Sequence, residues 1–180
     1  MSRRVKTILA VLIAVGIVCL GIGVYGITQQ SDTSAAPTEE SLIPAFQKGP
    51  APAVVGTTLT GRPFDLTTYR GTPVVLNFWA SWCGPCRKEL PAIAAFAKAH
   101  PEIAVIGVSY QDSVKDAKAF AKEHGAVWPS VVDDGPIGAA YKVPGLPATY
   151  LIDAQGQLVD RILGEVTEAT LDAHVKELEA

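Results

Sequence analysis

The sequence predicts an α/β domain in which helices flank a central mixed sheet, and three observations predict it. Val74-Val75-Leu76-Asn77-Phe78-Trp79-Ala80 is a nearly unbroken apolar run of strand length, the pattern of a strand covered on both faces. Strand-like and helix-like stretches then alternate, with Ile103 to Val108 falling between two segments of helical period. Later, Ala148 to Ile152 and Leu158 to Leu163 flank Asp153-Ala154-Gln155-Gly156-Gln157, a turn-rich segment of hairpin length. The 180 residues, 48% of them apolar, suffice for one globular domain with appendages, and a formal charge of −3 offers little to a nucleic acid.

In chain order, Arg3, Arg4 and Lys6 precede Ile8 to Ile27. These roughly 20 uncharged residues, at about 1.5 Å rise each, match the ~30 Å hydrocarbon core of a bilayer. The run is longer than the apolar part of a signal peptide, and Val24-Tyr25-Gly26-Ile27 is no small-x-small cleavage site, so residues 8–27 are expected to be an uncleaved signal anchor. Cys19 lacks the small residue that a lipoprotein places directly ahead of its cysteine, and it reads as a buried apolar side chain. Basic residues precede the run and none follows until Lys48, which puts residues 1–7 in the cytoplasm and the rest of the chain outside, on the periplasmic side. Residues 28–52 are polar and punctuated by Pro37, Pro44, Pro50 and Pro52, the composition of a flexible tether. Residues 53–180 form the folded domain.

Thr57-Thr58-Leu59 and Arg62-Pro63-Phe64-Asp65-Leu66, joined around Gly61, read as a small hairpin ahead of the main sheet. After the Val74 to Ala80 strand, a helix is expected from Gly84 to Ala99 with Leu90, Ile93, Ala94 and Ala97 inward. Pro91 lies within it and should kink it, at about 3 kcal/mol unless packing compensates. Ser113 is placed to cap a helix that runs to Glu123, where Ala117, Phe120 and Ala121 share a face. No periodic element is expected between Glu123 and Ala148, and Trp128-Pro129 reads as structural. A last helix spans Glu168 to Leu178, with Leu171, Val175 and Leu178 in line.

Chemistry is concentrated in Trp82-Cys83-Gly84-Pro85-Cys86, directly after the first long strand. A thiol at a helix start is near unpaired backbone N–H groups and the positive end of the helix dipole, so its pKa falls. At an ordinary pKa of about 8.5 roughly 3% of a thiol is ionised at pH 7, whereas at about 7 half is. The rival readings fail on composition. A structural zinc site needs four ligands, and the only other thiol is Cys19, while His100, His124 and His174 are scattered. Haem attachment needs a histidine after the second cysteine, where Arg87 stands. The stretch from Phe78 to Trp82 lacks the Pro and Thr that peroxiredoxins place ahead of their reactive cysteine. Thiol–disulfide exchange is left, with no metal or cofactor, and an exported domain would meet disulfide-bearing clients.

Phe78-Trp79-Ala80 leading into Trp82-Cys83-Gly84-Pro85-Cys86, together with Tyr141-Lys142-Val143-Pro144-Gly145-Leu146-Pro147, resembles the active-site strand and the later proline loop of the thioredoxin fold. The N-terminal anchor, the hairpin, Asn77 and Gly107-Val108-Ser109-Tyr110-Gln111-Asp112 resemble more narrowly the membrane-tethered group that contains TlpA, ResA and CcmG. The resemblance implies that Cys83 is the attacking thiol, nearer the surface, and that Cys86 resolves the mixed disulfide from the buried side. It implies that Pro147, rather than Pro144, is a cis-proline facing the cysteines, leaving the Leu146 backbone to pair with an extended client. Trp82, Gly84 and Pro85 would contact that client, while Asn77 and Trp79 support the site from within, Trp79 as a core residue.

The chain departs from thioredoxin or from its tethered relatives in three places. Asn77 stands where thioredoxins bury an aspartate, Gly84-Pro85 where some tethered relatives carry a glutamate, and Ala148 between the proline and Thr149. The proton acceptor for Cys86 is thus unassigned: Glu89 is a candidate, although a solvated helix face is its expected role, and water is the alternative. Arg87 and Lys88, in the first helical turn, could favour a thiolate but are expected to be solvated. The resemblance favours a monomeric reductant, recharged by a membrane thiol reductase, with apocytochrome c thiols as clients. An oxidant of exported proteins, recharged by a membrane oxidant, and a non-catalytic tethered binding module are the alternatives.

Overall fold

The computed structural model describes residues 45–178. The expected cytoplasmic segment 1–7, the membrane anchor 8–27 and most of the tether lie outside the described residues, among which no helix is long and apolar enough to cross a membrane. A six-stranded mixed sheet carries the fold. Its strands are β1 (Gly49–Pro50), β4 (Val74–Trp79), β5 (Ala104–Tyr110), β6 (Ser130–Asp133), β7 (Ala148–Ile152) and β8 (Gln157–Leu163), in the order β1-β8-β7-β4-β5-β6. β4, β5 and β6 run parallel, whereas β7 is antiparallel to β4 and β8, and β8 to β1. A separate two-stranded sheet pairs β2 (Val55–Thr57) with β3 (Pro63–Asp65), the predicted hairpin with its first strand shifted toward the N-terminus. The helices are α1 (Gly84–Ala99), α2 (Val114–Glu123), α3 (Pro136–Ala140) and α4 (Glu168–His174).

β4 is buried along its whole length because it is central and covered on both faces. Its side chains alternate between two cores. Val75 and Trp79 join Leu90, Ile93 and Phe96 of α1, Phe120 of α2 and Leu171 of α4. Val74, Leu76 and Phe78 meet Phe64, Ile137, Tyr141 and Tyr150 on the other face. The two cysteines belong to the first core.

Three expectations are corrected. The tether ends earlier than Pro52: Gly49 and Pro50 pair with Leu158 and Gln157, Ala51 N–H donates to Gly156 O, and Tyr141 Oη donates to Pro52 O. Long-range pairing, invisible to local composition, draws these residues into the sheet. Between Glu123 and Ala148 lie β6 and α3, too short for a period to show. Asp133 organises α3 by accepting the N–H groups of Gly135, Ile137 and Gly138 at 2.9, 3.0 and 2.7 Å, since Gly135 at the cap has no side chain of its own. α1 runs unbroken through Pro91, where both Pro91 and Arg87 are exposed, so water reaches the carbonyl that loses its donor. The last helix tightens at His174 into a 3₁₀ turn, Val175–Leu178. The Ser113 cap is as expected, with its side chain accepting Asp116 N–H at 3.1 Å.

Candidate active site

Cys83 is the N-cap of α1. Its backbone is extended, φ −84° and ψ 107°, and its Sγ accepts the N–H of Cys86 at 3.2 Å. The sulfur thus takes the place of the oxygen that usually satisfies a free donor in the first turn, and negative charge on it is favoured by that donor and by the dipole. Gly84 and Pro85 follow as exposed first-turn residues, where a proline forfeits no helical hydrogen bond. Cys83 and Cys86 form a disulfide, their Cα atoms 5.3 Å apart. Cys83 retains 5% exposure and Cys86 none, the order of accessibility expected of them.

Trp82 is 61% exposed, yet its position is set by a hydrogen bond from Nε1 to Gln111 O at 3.1 Å. Trp79 is fully buried and stacks on Phe120, ring centres 5.5 Å apart, which makes it a core residue beneath the site. Arg87 lies over the Phe120 ring at 5.0 Å and bonds Glu123 at 3.2 Å, and Lys88 lies 3.8 Å from Glu165. The Leu146–Pro147 bond is cis. The pairing of Phe78 with Ala148 puts Pro147 at the end of β4 that leads into Cys83, and Leu146 packs against the core cluster that holds both cysteines.

Glu89 is the residue that sequence reasoning misplaced. It is fully buried rather than solvated, one helical turn beyond Cys86. Its Oε1 accepts from Asn77 Nδ2 at 2.9 Å, and its Oε2 from the Val166 N–H at 3.3 Å. Burial, opposed by these two bonds and reinforced by Glu165, pushes its carboxyl up from 4.5 to about 7. A signal for this was present: Cys86, Glu89, Leu90, Ile93 and Phe96 form one helical stripe of which only Glu89 is a carboxylic acid. Thr149, noted in the sequence only as displaced from the proline, is buried and accepts from Asn77 at 3.2 Å. Asn77, Thr149 and Glu89 therefore meet one helical turn along α1 from the buried cysteine. Among the described residues no group of three or more His, Cys, Asp or Glu side chains could hold a metal ion.

The arrangement joins an electrophilic, near-surface disulfide to a buried group whose proton affinity sits near neutral pH, the equipment for exchanging a disulfide and moving the accompanying proton. Residues 48–161 match the AhpC/TSA family. The chain is 34% identical over 131 residues to the thiol-disulfide oxidoreductase ResA of Bacillus thuringiensis, covering 71% of this chain and 76% of that protein. It is 35% identical over 119 residues to the thioredoxin-like protein YneN of Bacillus subtilis, covering 64% and 70%. The solved structure of DsbF from MTB, in mixed oxidised and reduced forms, superposes with a TM-score of 0.65 at 30% identity, covering 69% of this chain and 94% of that one.

Proposed function

The chain belongs to the AhpC/TSA family and is a thiol–disulfide oxidoreductase of the ResA and CcmG type, and we propose that it is a membrane-anchored reductant of extracytoplasmic protein disulfides. The observation that carries the chemistry is the Cys83–Cys86 disulfide at the start of α1, with Cys83 Sγ already receiving the Cys86 N–H. In the reducing direction the Cys83 thiolate attacks a client disulfide, forming a mixed disulfide and expelling one client thiolate. Cys86 then attacks Cys83 Sγ, releases the second client thiolate and closes the ring. Glu89 is the acceptor for the Cys86 proton, because it is the buried base on the same face of α1 and its proton affinity lies near that of a lowered thiol. Exposed Trp82, Gly84 and Pro85, with the Leu146–Pro147 loop, form the client-facing rim.

The uncharged stretch 8–27 behind Arg3, Arg4 and Lys6 supports anchorage with the domain outside the cytoplasm. Apocytochrome c thiols fit as clients of a reductant there, and a membrane thiol reductase would recharge it. The Gly-Pro pair between the cysteines is thioredoxin's own, and thioredoxin lies near −270 mV, against about −120 mV for the oxidant DsbA. That gap is roughly 7 kcal/mol for two electrons, so the reduction potential of the full chain in detergent, equilibrated in defined thiol–disulfide buffers, separates the directions. A value near or below about −250 mV supports a reductant, and one near −120 to about −150 mV makes the chain an oxidant of exported proteins. A carboxy-terminal reporter active only outside the cytoplasm tests the topology.

A further inference from the structure

Asn77 uses only half of its amide. Nδ2 donates to Glu89 Oε1 at 2.9 Å and to Thr149 Oγ1 at 3.2 Å, while the equally enclosed Oδ1 meets no donor among the described residues. A buried acceptor left this way is uncommon and calls for a reason. The present arrangement suits one protonation state of Glu89. Both carboxylate oxygens accept, from Asn77 and from the Val166 N–H, as the ionised form requires. Once Glu89 takes up a proton its hydroxyl must donate, and an NH₂ group cannot receive it. Rotating the amide by about half a turn, about a torsion that is nearly two-fold, presents Oδ1 to Glu89 and to the Thr149 hydroxyl, which donates as readily as it accepts. The rotated amide again makes two bonds and leaves its other half idle. Its two orientations match the two protonation states of Glu89 bond for bond.

We propose that Asn77 is a positioning residue whose side-chain amide turns over in step with the Glu89 proton, so that Glu89 takes the Cys86 proton and gives it back without losing a partner. The proposal rests on the reading of Glu89 as proton acceptor. In resolution, Cys86–SH passes its proton to the Glu89 carboxylate and the Cys86 thiolate bonds to Cys83 Sγ. The Cys83–client S–S bond breaks and the client leaves as a thiolate, so no further oxidant enters. The titratable groups around Glu89 are Cys86 on its own helix and Glu165 on the loop after β8, whose exposed partner is Lys88. β4 and β7 present only the neutral Asn77 and Thr149. An aspartate at position 77 would instead set a second carboxylate against Glu89 in a dry site, where like charges cannot both ionise easily.

The test follows the Asn77 side-chain amide and the Glu89 carboxyl by NMR in the reduced full chain in micelles, from about pH 4 to about pH 9, which spans the ordinary and the raised value of the Glu89 carboxyl. The Asn77 Nδ2 resonances are expected to move with the Glu89 midpoint and to be flat in Glu89→Gln. In folded Asn77→Leu, whose carboxylate has lost a donor, the Glu89 midpoint and the pH profile of mixed-disulfide resolution are expected to rise together by about one pH unit. Thr149→Val, which keeps the amide but removes the shared hydroxyl, should shift both by less. Asn77 resonances that stay constant while Glu89 titrates overturn the proposal, as does an unmoved midpoint in Asn77→Leu. If Glu89→Gln resolves mixed disulfides with the wild-type rate and pH profile, the acceptor reading itself fails and the proposal falls with it.

Discussion

Ser81 gives two hydrogen bonds to one carboxylate: its N–H reaches Asp112 Oδ2 at 2.6 Å and its hydroxyl reaches Oδ1 at 2.8 Å. The bond crosses from the loop after β5 to the turn after β4, two residues before Cys83. The neighbouring Gln111, held at φ 47°, accepts Trp82 Nε1 through its carbonyl, so one short loop fixes both residues that lead into the cysteine.

Asp112→Ala removes both acceptors and leaves the Ser81 N–H in a half-buried place. A loss of about 2 kcal/mol in unfolding free energy is expected, since hydrogen bonds to a charged group contribute about 1.5–3 kcal/mol. Urea unfolding of the oxidised protein measures it. Asp112→Asn, which keeps one acceptor oxygen, should lose about half as much. Equal stability of Asp112→Ala and wild type would remove the clamp from the account.

Glu89 makes stability depend on pH in a direction opposite to that of a salt-bridged carboxylate. Its folded value of about 7 exceeds the ordinary 4.5, so between those values the folded chain holds a proton that the unfolded chain has released. Stability from this group is therefore full below 4.5 and is lost as pH rises through about 7. The interval corresponds to roughly 3 kcal/mol at most. Glu89→Gln should flatten this slope and be more stable than wild type at pH 8, as read from denaturant midpoints along a pH series.

Cys83→Ser should abolish exchange with protein disulfides. Cys86→Ser should instead retain the first attack and accumulate the mixed disulfide, because an intramolecular thiolate resolves it faster than solution thiols by at least about 10²-fold. Mass spectrometry of trapped adducts distinguishes the two. Equal trapping by both variants would reverse the assignment of the attacking sulfur.

Gly107→Ala should unfold the first core before it touches the chemistry. An added Cβ would stand 2.4 Å from Ser130 Oγ and 2.7 Å from Trp79 Nε1, both buried. Overpacking of this kind costs about 1–3 kcal/mol. A lowered melting temperature with an unchanged reduction potential is the expected result.

The alternation of strand and helix, the start of α1 at Gly84, the cap at Ser113, and the placement of β7 and β8 were legible because each depends on neighbours within a few residues. The apolar run of β4 and the apolar period of α1 need no partner to be read. β1 and β6 were not legible, since Gly49-Pro50 and Ser130-Val131-Val132-Asp133 carry no period of their own and become strands only through pairing with β8 and β5.

By itself, the sequence determined the reactive pair: two thiols two residues apart at a helix start, after a buried strand, have a chemistry set by local spacing and a local dipole. Only the tertiary structure decided the state of Glu89. Glu89 has neighbours in sequence that suit a solvated face, and its burial is imposed by Asn77 on β4, Thr149 on β7 and the Val166 N–H after β8. Those contacts are remote along the chain, and desolvation, which raises the carboxyl, is a property of the space they enclose rather than of any short segment.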